Sequence, residues 1–372
     1  MKKVLYVATV VKTHINVFHL PFLRMFKNEG WETSVCARND FENPSDCLIP
    51  YCDIFYDTAF ERFPFKLNNI KAFFSLRKII KREKFDIIHC HTPSGGVLAR
   101  LAAIGTKKKG SRVIYTAHGF HFFKGAPLLN WLIYFPVEWF CSFFTDTLIT
   151  INQEDYAFAK KHMHAKQIEY IHGVGVDIDK YKTIEVDRTQ KRKELGIPEN
   201  SVAVLSVGEL NDNKNHETVL RAIAKIDRKD IVYLICGKGD KKEYLENLAK
   251  ELGMEKRLIL AGFRTDVAEI YKCCDIFAFP SKREGLGLAA LEAMASGLPV
   301  VGSNVHGIPD YLIDNETGFK CRPLDIDDFA EKIISLSNDR ELRDRIGLNN
   351  KDFVKKFSLE NSLCEMGNIY GL

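Results

Sequence analysis

Two acids, Glu284 and Glu292, stand eight residues apart in the run SKREGLGLAALEAMASGLPVV, with a Gly285-Leu286-Gly287 turn between them. Beyond the turn almost every residue from 288 to 295 is small or apolar, the composition of a buried helix. A carboxylate in such a helix is costly unless something pairs with it, so Glu292 demands a partner. Glycines let a backbone approach a ligand closely, and the free N–H groups at a helix start suit a diphosphate. Carboxylates on either side of that turn can accept hydrogen bonds from vicinal hydroxyls, such as a ribose 2′/3′ pair. Two isolated acids would read as a solvated edge residue and a helix cap. The glycine turn between them favours a ligand site.

Lys214 lies in SVGELNDNKNHETVL, after a strand that ends at Gly208 and before a helix starting near His216. A lysine there can hold a leaving diphosphate as a point charge, although most lysines are solvated surface residues. The ICGKGDKKEYL turn reads as packing. In YTAHGFHFFKG, His118 directly follows a strand, and Gly119 permits a tight turn. Its imidazole can hydrogen-bond a sugar hydroxyl or a developing charge; the alternative is a core histidine held by a backbone carbonyl. His89 and His91 in IIHCHTP fall on one face of a strand, but no third ligand is evident nearby, so no metal site is expected.

These residues need elements to hold them. A chain of 372 residues exceeds what one core usually supports, so two domains are expected. Short strands read at 3–11, 31–37, 85–91, 112–118 and 146–152, with helices such as LPFLRMFKNEG and IKAFFSLRKIIKREK between them. After a polar stretch at 181–198 a second series begins at 201–210 and continues at 231–237, 257–263, 275–281 and 298–303. Strand and helix alternate in both halves, the pattern of a parallel sheet, and each half reads as a Rossmann-type domain. Ligands of such sheets bind beyond the carboxyl ends of the strands, so the expected site is a cleft between two facing domains.

The hydrophobic fraction of 46% and charged fraction of 27% are those of an ordinary globular protein. The ten cysteines form no C-x-x-C pair and no signal peptide precedes them, which implies reduced thiols and a cytoplasmic location. No apolar stretch reaches transmembrane length. The net charge of +4 is uneven: residues 1–180 carry 24 Lys and Arg against 17 Asp and Glu, and 181–372 carry 29 against 32. A basic first half can face anionic lipid, nucleic acid or an anionic substrate; no base-reading module accompanies it, which argues against nucleic acid. The segment from Phe120 is crowded with Phe122, Phe123, Leu128, Leu129, Trp131, Leu132, Phe135, Trp139, Phe140, Phe143 and Phe144. Core packing accounts for part, and the rest suits a bilayer interface, to which Arg77, Lys78, Lys81, Arg82 and Lys84 would add anionic-lipid attraction.

The Glu284-x7-Glu292 spacing, Lys214 after VGEL, His118 in TAHG and IHGVGVDIDKY at the domain junction together resemble family-four glycosyltransferases of the GT-B fold, over nearly the whole chain. More narrowly the chain resembles the bacterial branch that extends undecaprenyl-diphosphate-linked sugars for capsule, exopolysaccharide or glycoprotein glycans. That resemblance implies an acceptor-binding, membrane-facing domain at 1–182, a nucleotide-sugar-binding domain at 183–356 and a C-terminal helix at 357–372 crossing back to the first. It implies a retaining transfer of a hexose or N-acetylhexosamine from a UDP-sugar to a polyprenyl-diphosphate-linked saccharide, without metal or cofactor, at the inner face of the cell membrane. Glu284 would contact the donor sugar, Glu292 the ribose, and His118 the C6 side of the sugar. Lys214 and the amides around Leu286 and Gly287, below Gly208, would stabilise the departing diphosphate, with Phe263 and Arg264 bordering the base.

Two positions depart from the family's pattern. Glu209 stands where an arginine commonly follows the glycine, so Lys282, Arg283 or Arg264 must supply the missing cation. The first loop, ATVVKTHINVFHLP, lacks the usual glycine pair and offers His14 and His19 toward the acceptor, unless they cap a helix or lie in the core. Two other functions stay open at this point: a UDP-sugar 2-epimerase of the same fold, and a non-catalytic nucleotide-sugar-binding module.

Overall fold

A computed structural model describes residues 1–62 and 66–372. Contacts divide them into two compact units, Met1–Val174 with Ser362–Leu372, and Gly175–Asn361. The first boundary therefore falls near Gly175 rather than 182, and the return at Ser362 rather than 357. The polar stretch at 181–198 misled because it is helical: Ile178–Thr183 buries Ile178 and Tyr181, and Arg188–Leu195 buries Arg192, which donates to the Ser201 carbonyl and to Asp275.

The first unit holds a seven-stranded sheet in the order β3-β2-β1-β4-β5-β6-β7, parallel throughout. Its strands are β1 (Lys3–Val10), β2 (Glu32–Arg38), β3 (Ile54–Asp57), β4 (Ile87–His91), β5 (Arg112–Ala117), β6 (Thr147–Thr150) and β7 (Gln167–Tyr170). β4 and β6 are buried at every residue, as strands covered on both faces must be. The helix Pro93–Ala103 lies so close to the sheet that a Cβ on Gly95 would sit 3.2 Å from the Ala8 Cα. Its Arg100 donates to Glu138 of the helix Leu128–Ser142 at 2.7 Å, and the guanidinium lies 3.9 Å from the Tyr115 ring. The last helix, Leu359–Tyr370, delivers Tyr370 to the sheet, where its hydroxyl lies 2.7 Å from that of Tyr6 and 2.6 Å from His89 Nδ1.

The second unit holds a six-stranded parallel sheet in the order β10-β9-β8-β11-β12-β13. These strands are β8 (Val202–Val207), β9 (Ile231–Cys236), β10 (Leu258–Gly262), β11 (Ile276–Phe279), β12 (Val300–Ser303) and β13 (Gly318–Cys321). All ten strands read from the sequence form; β3, β7 and β13 are additional. In each sheet the winding direction reverses at one place, between β1 and β4 and between β8 and β11. Such a reversal opens a crevice at the carboxyl ends of the strands. Candidate residues lie at both reversals, with Phe263 and Arg264 apart from them after β10.

Candidate functional site

In the second unit the loops leaving β8 and β11 are tied together. The Asn213 amide donates to the Arg283 carbonyl at 3.0 Å, the Asn215 amide to the Pro280 carbonyl at 3.1 Å, and the Lys282 N–H to the Asn213 carbonyl at 2.8 Å. Asn215 adopts the left-handed conformation (φ 53°), which asparagine tolerates better than most residues. Sequence reading passed over these amides, although the N-D-N-K-N alternation is the type of run whose side chains bond neighbouring backbone.

The lashing fixes Lys214. Its backbone N–H donates to Asn211 Oδ1 at 2.9 Å, and its Nζ donates to Glu284 Oε2 at 2.6 Å. The two side chains are 22% and 19% exposed, so each charge remains reachable while the other compensates it. The ammonium also lies 5.1 Å from the Phe279 ring. Gly208 leaves space for the lysine stem, since a Cβ there would stand 3.3 Å from Lys214 Cδ. Gly287 caps the helix Leu288–Ala295 with φ 92°, and a Cβ on it would sit 2.6 Å from Phe279 and 2.9 Å from Glu284 Cγ. Only glycine brings the helix start this close to the ion pair. Leu286 is buried and anchors the turn.

Glu292, inside the same helix, is half-buried and has partners within its own unit. Tyr271 donates its hydroxyl to Oε2 at 3.2 Å and to the Ala289 carbonyl at 3.0 Å, and the nearby Tyr181 phenol favours the ionised carboxyl. Burial pushes the Glu292 carboxyl above its ordinary range, and the two phenols, with Lys180, draw it part of the way back. The tyrosines thus answer the demand posed by an acid in an apolar helix. Nothing in the local sequence pairs Tyr181 or Tyr271 with Glu292.

The remaining donor-side candidates lie apart from this group. Phe263 and Arg264 follow β10, two strands from β8, and Phe263 is exposed. Arg264 is paired with Asp266 and Glu194, so its charge is already compensated and it does not stand ready to replace the arginine missing at Glu209. Lys282 lines a small hollow with Asp212, Glu217, Lys241 and Tyr244. Glu209 is exposed and accepts from Asn211 at 2.9 Å.

In the first unit the carboxyl ends of β1, β4 and β5 bring four histidines together. One turn of π-helix, Val11–Ile15, follows β1 and carries His14; His19 precedes the helix Leu20–Asn28; His91 ends β4; His118 follows β5. One ring nitrogen from each lies within 4.8 Å of the others. The expectation that His91 has no further nitrogen donors nearby is therefore corrected: spacing along one strand cannot reveal what two other loops deliver. His89 is not part of the group, being held by Tyr370 and by Thr116 at 2.8 Å. Burial lowers His14 to about 3 and His118 to about 4, and holds His19 and His91 well below the usual imidazole value.

Comparison with known proteins follows the same division. Residues 187–353 match the family model described as glycosyl transferases group 1, and residues 3–152 match the glycosyl transferase 4-like model. EpsD of Bacillus subtilis (strain 168), named provisionally as a glycosyltransferase, is 36% identical over 99% of this chain and 96% of its own. The chain belongs to the group 1 glycosyl transferases. This glycosyltransferase is also 33% identical, over 74% of its length and 72% of the relative's, to an Escherichia coli UDP-Gal:alpha-D-GlcNAc-diphosphoundecaprenol alpha-1,3-galactosyltransferase. Anabaena Alr3699/HepE, solved with UDP and glucose, superimposes with a TM-score of 0.80 at 18% identity, covering 100% of both chains. Sucrose-phosphate synthase from Thermosynechococcus elongatus gives 0.84 at 20% identity, covering 100% of this chain and 98% of the other. The fold is α/β, two Rossmann-like parallel sheets of the GT-B class, and the protein is a sugar-transferring enzyme. The epimerase and the non-catalytic module give way to that assignment.

Proposed function

We propose that this glycosyltransferase moves a hexosyl or N-acetylhexosaminyl group from a UDP-sugar to a polyprenyl-diphosphate-linked saccharide, with retention of configuration, during assembly of a capsule, exopolysaccharide or glycan. The observation that carries the reading is the Lys214–Glu284 pair at the glycine-capped start of the helix Leu288–Ala295. A cation and free backbone N–H groups suit a departing diphosphate, and an acid beside them suits a sugar hydroxyl. Glu292 is assigned to the ribose, Phe263 to the base, and His118 to the sugar; His14 and His19 are assigned to the acceptor side. The Escherichia coli relative's name supports the lipid-linked acceptor, and the UDP-bound Anabaena neighbour supports the nucleotide.

In the proposed step the acceptor hydroxyl oxygen attacks the anomeric carbon on the face from which the diphosphate departs. The C–O bond to the β-phosphate breaks, and the hydroxyl proton passes to the leaving phosphate oxygen. Lys214 and the amides at Leu286 and Gly287 stabilise the negative charge that accumulates there, so this reading needs no separate protein base and no metal at the phosphates.

We assign the enzyme to the inner face of the membrane through the helix Leu128–Ser142 and the Phe143 that follows it, which leave Leu128, Leu129, Leu132, Phe140 and Phe143 exposed. Among the described residues no helix is long and apolar enough to cross a membrane. The test is a panel of UDP- and GDP-sugars offered with and without a polyprenyl-diphosphate-linked acceptor in detergent, following nucleotide release and the anomeric configuration of the product. Acceptor-dependent UDP release with retention is expected. GDP-sugar preference, inversion, or turnover indifferent to the acceptor would each refute the assignment.

A further inference from the structure

The four histidines at the ends of β1, β4 and β5 are more than a polar patch. His14 Nε2 lies 3.1 Å from His19 Nε2, and His91 Nδ1 lies 3.3 Å from His118 Nε2. The His19 and His91 rings approach to 3.9 Å between centroids. Among the described residues, hydrogen bonds within the group occupy those two contacts, and His91 Nε2 is buried without a partner, in a residue only 2% exposed. Aromatic rings wall the group. Tyr6 stacks on His91, Phe18 contacts His14 and His118, and Phe22 lies beside His19.

We propose that His14, His19, His91 and His118 form a binding site for one divalent transition metal ion of the Zn²⁺ type. Tetrahedral coordination with bonds of about 2.0–2.1 Å places neighbouring nitrogens about 3.3 Å apart, close to the 3.1 Å already present between His14 Nε2 and His19 Nε2. The remaining nitrogens, all within 4.8 Å, reach that spacing by closing about 1.5 Å or less around an ion. Four imidazoles without a carboxylate or water-rich shell select Zn²⁺, Co²⁺, Ni²⁺ or Cu²⁺ over Mg²⁺ and Ca²⁺.

His89 supplies support behind the site: its ring lies 4.0 Å from that of His91 and is fixed on both sides by Tyr370 and Thr116. The ion would pin the π-turn after β1 to the ends of β4 and β5. A ring that coordinates through one nitrogen keeps the other N–H, so the assignments of His118 to the sugar and of His14 and His19 to the acceptor side stand beside the ion.

The inference goes beyond the proposed transfer and is tested without donor or acceptor. The full chain, prepared without a polyhistidine tag, is stripped with chelator and titrated with Co²⁺ alone and with Zn²⁺ alone. Expected are about one equivalent bound per chain, the intense visible absorption of tetrahedral Co²⁺, its loss on adding Zn²⁺, and a rise in melting temperature with Zn²⁺. His91→Asn and His14→Gln should each weaken Zn²⁺ binding by about 100-fold, and His162→Ala, outside the group, should leave it unchanged. His14→Gln lies in a turn and keeps a hydrogen-bonding side chain, so it remains informative where His91→Asn fails to fold. No stoichiometric binding, a Co²⁺ spectrum lacking tetrahedral intensity, or binding unchanged in His14→Gln would overturn the site.

Discussion

Replacing Glu292 by glutamine separates a nucleotide contact from a structural one. The amide keeps a carbonyl oxygen to receive the Tyr271 hydroxyl, now 3.2 Å from Oε2, so that contact within the unit survives. What disappears is the negative charge and one acceptor, the features that would hold two ribose hydroxyls. A hydrogen bond to a charged group contributes about 1.5–3 kcal/mol, so UDP should bind about 10- to 150-fold more weakly to Glu292→Gln. Titration calorimetry with UDP and, separately, with inorganic diphosphate is the assay: UDP affinity should fall and diphosphate affinity should not. The pH dependence of stability supplies a second reading. Burial raises the Glu292 carboxyl above 4.5, so the folded protein holds that proton to higher pH than the unfolded chain. The group therefore costs stability as pH rises from 4.5 through its raised value, and costs nothing below 4.5. Glu292→Gln removes that cost, so the variant should melt as high as the parent or higher at neutral pH, with the advantage vanishing in acid. Unchanged UDP affinity would refute the ribose assignment. An equal fall for UDP and diphosphate would show that Glu292 supports the loop and not the ligand.

Lys214→Ala should lower turnover by about 100-fold or more while UDP affinity changes little, because its charge acts most strongly on the departing phosphate; steady-state kinetics beside calorimetry checks this. Glu138→Ala strands the Arg100 guanidinium, 1% exposed, and should cost about 3–5 kcal/mol in denaturant unfolding. Replacing Leu128, Leu129 and Leu132 together with asparagine removes three exposed leucines from one helix without touching the core. Co-sedimentation with anionic vesicles should drop while the melting temperature holds, and undiminished co-sedimentation would dismiss this helix as the membrane contact.

The sequence disclosed what is decided locally. Interior strands such as β8 and β9 are short, largely apolar runs because both faces are covered, and that composition is legible. β3, β7 and β13 each end a sheet, and β3 and β7 are only partly buried, so neither apolar runs nor clean alternation mark them. The same logic divides the site residues. Gly208, Lys214, Glu284 and Gly287 follow directly from two adjacent strands, and strand ends can be read. Arg264 also follows a strand, but a preference for Asp266 and Glu194 over a ligand is invisible without their geometry. The histidine group draws on three loops separated by long intervals, and only the parallel order β1-β4-β5 brings them to one point.

Bulk charge is a poor guide to either site. The basic half of the sequence encloses a group of neutral imidazoles, and the acidic half presents the lysine that the proposed chemistry needs. Each site is built by burial and pairing, not by the net charge around it. In the second unit the consequence can be followed to the transfer itself. Lys214 and Glu284 satisfy one another at 2.6 Å while a fifth of each side chain remains exposed. A ligand bearing only phosphates would draw Nζ away and leave the Glu284 carboxylate uncompensated; a ligand bearing only sugar would do the reverse. On the proposed reading a nucleotide sugar satisfies both at once, with phosphate taking the ammonium and a hydroxyl donating to the carboxylate. The pair therefore selects for a donor that joins the two groups, and it prevents either charge from standing half-buried alone when the donor is gone.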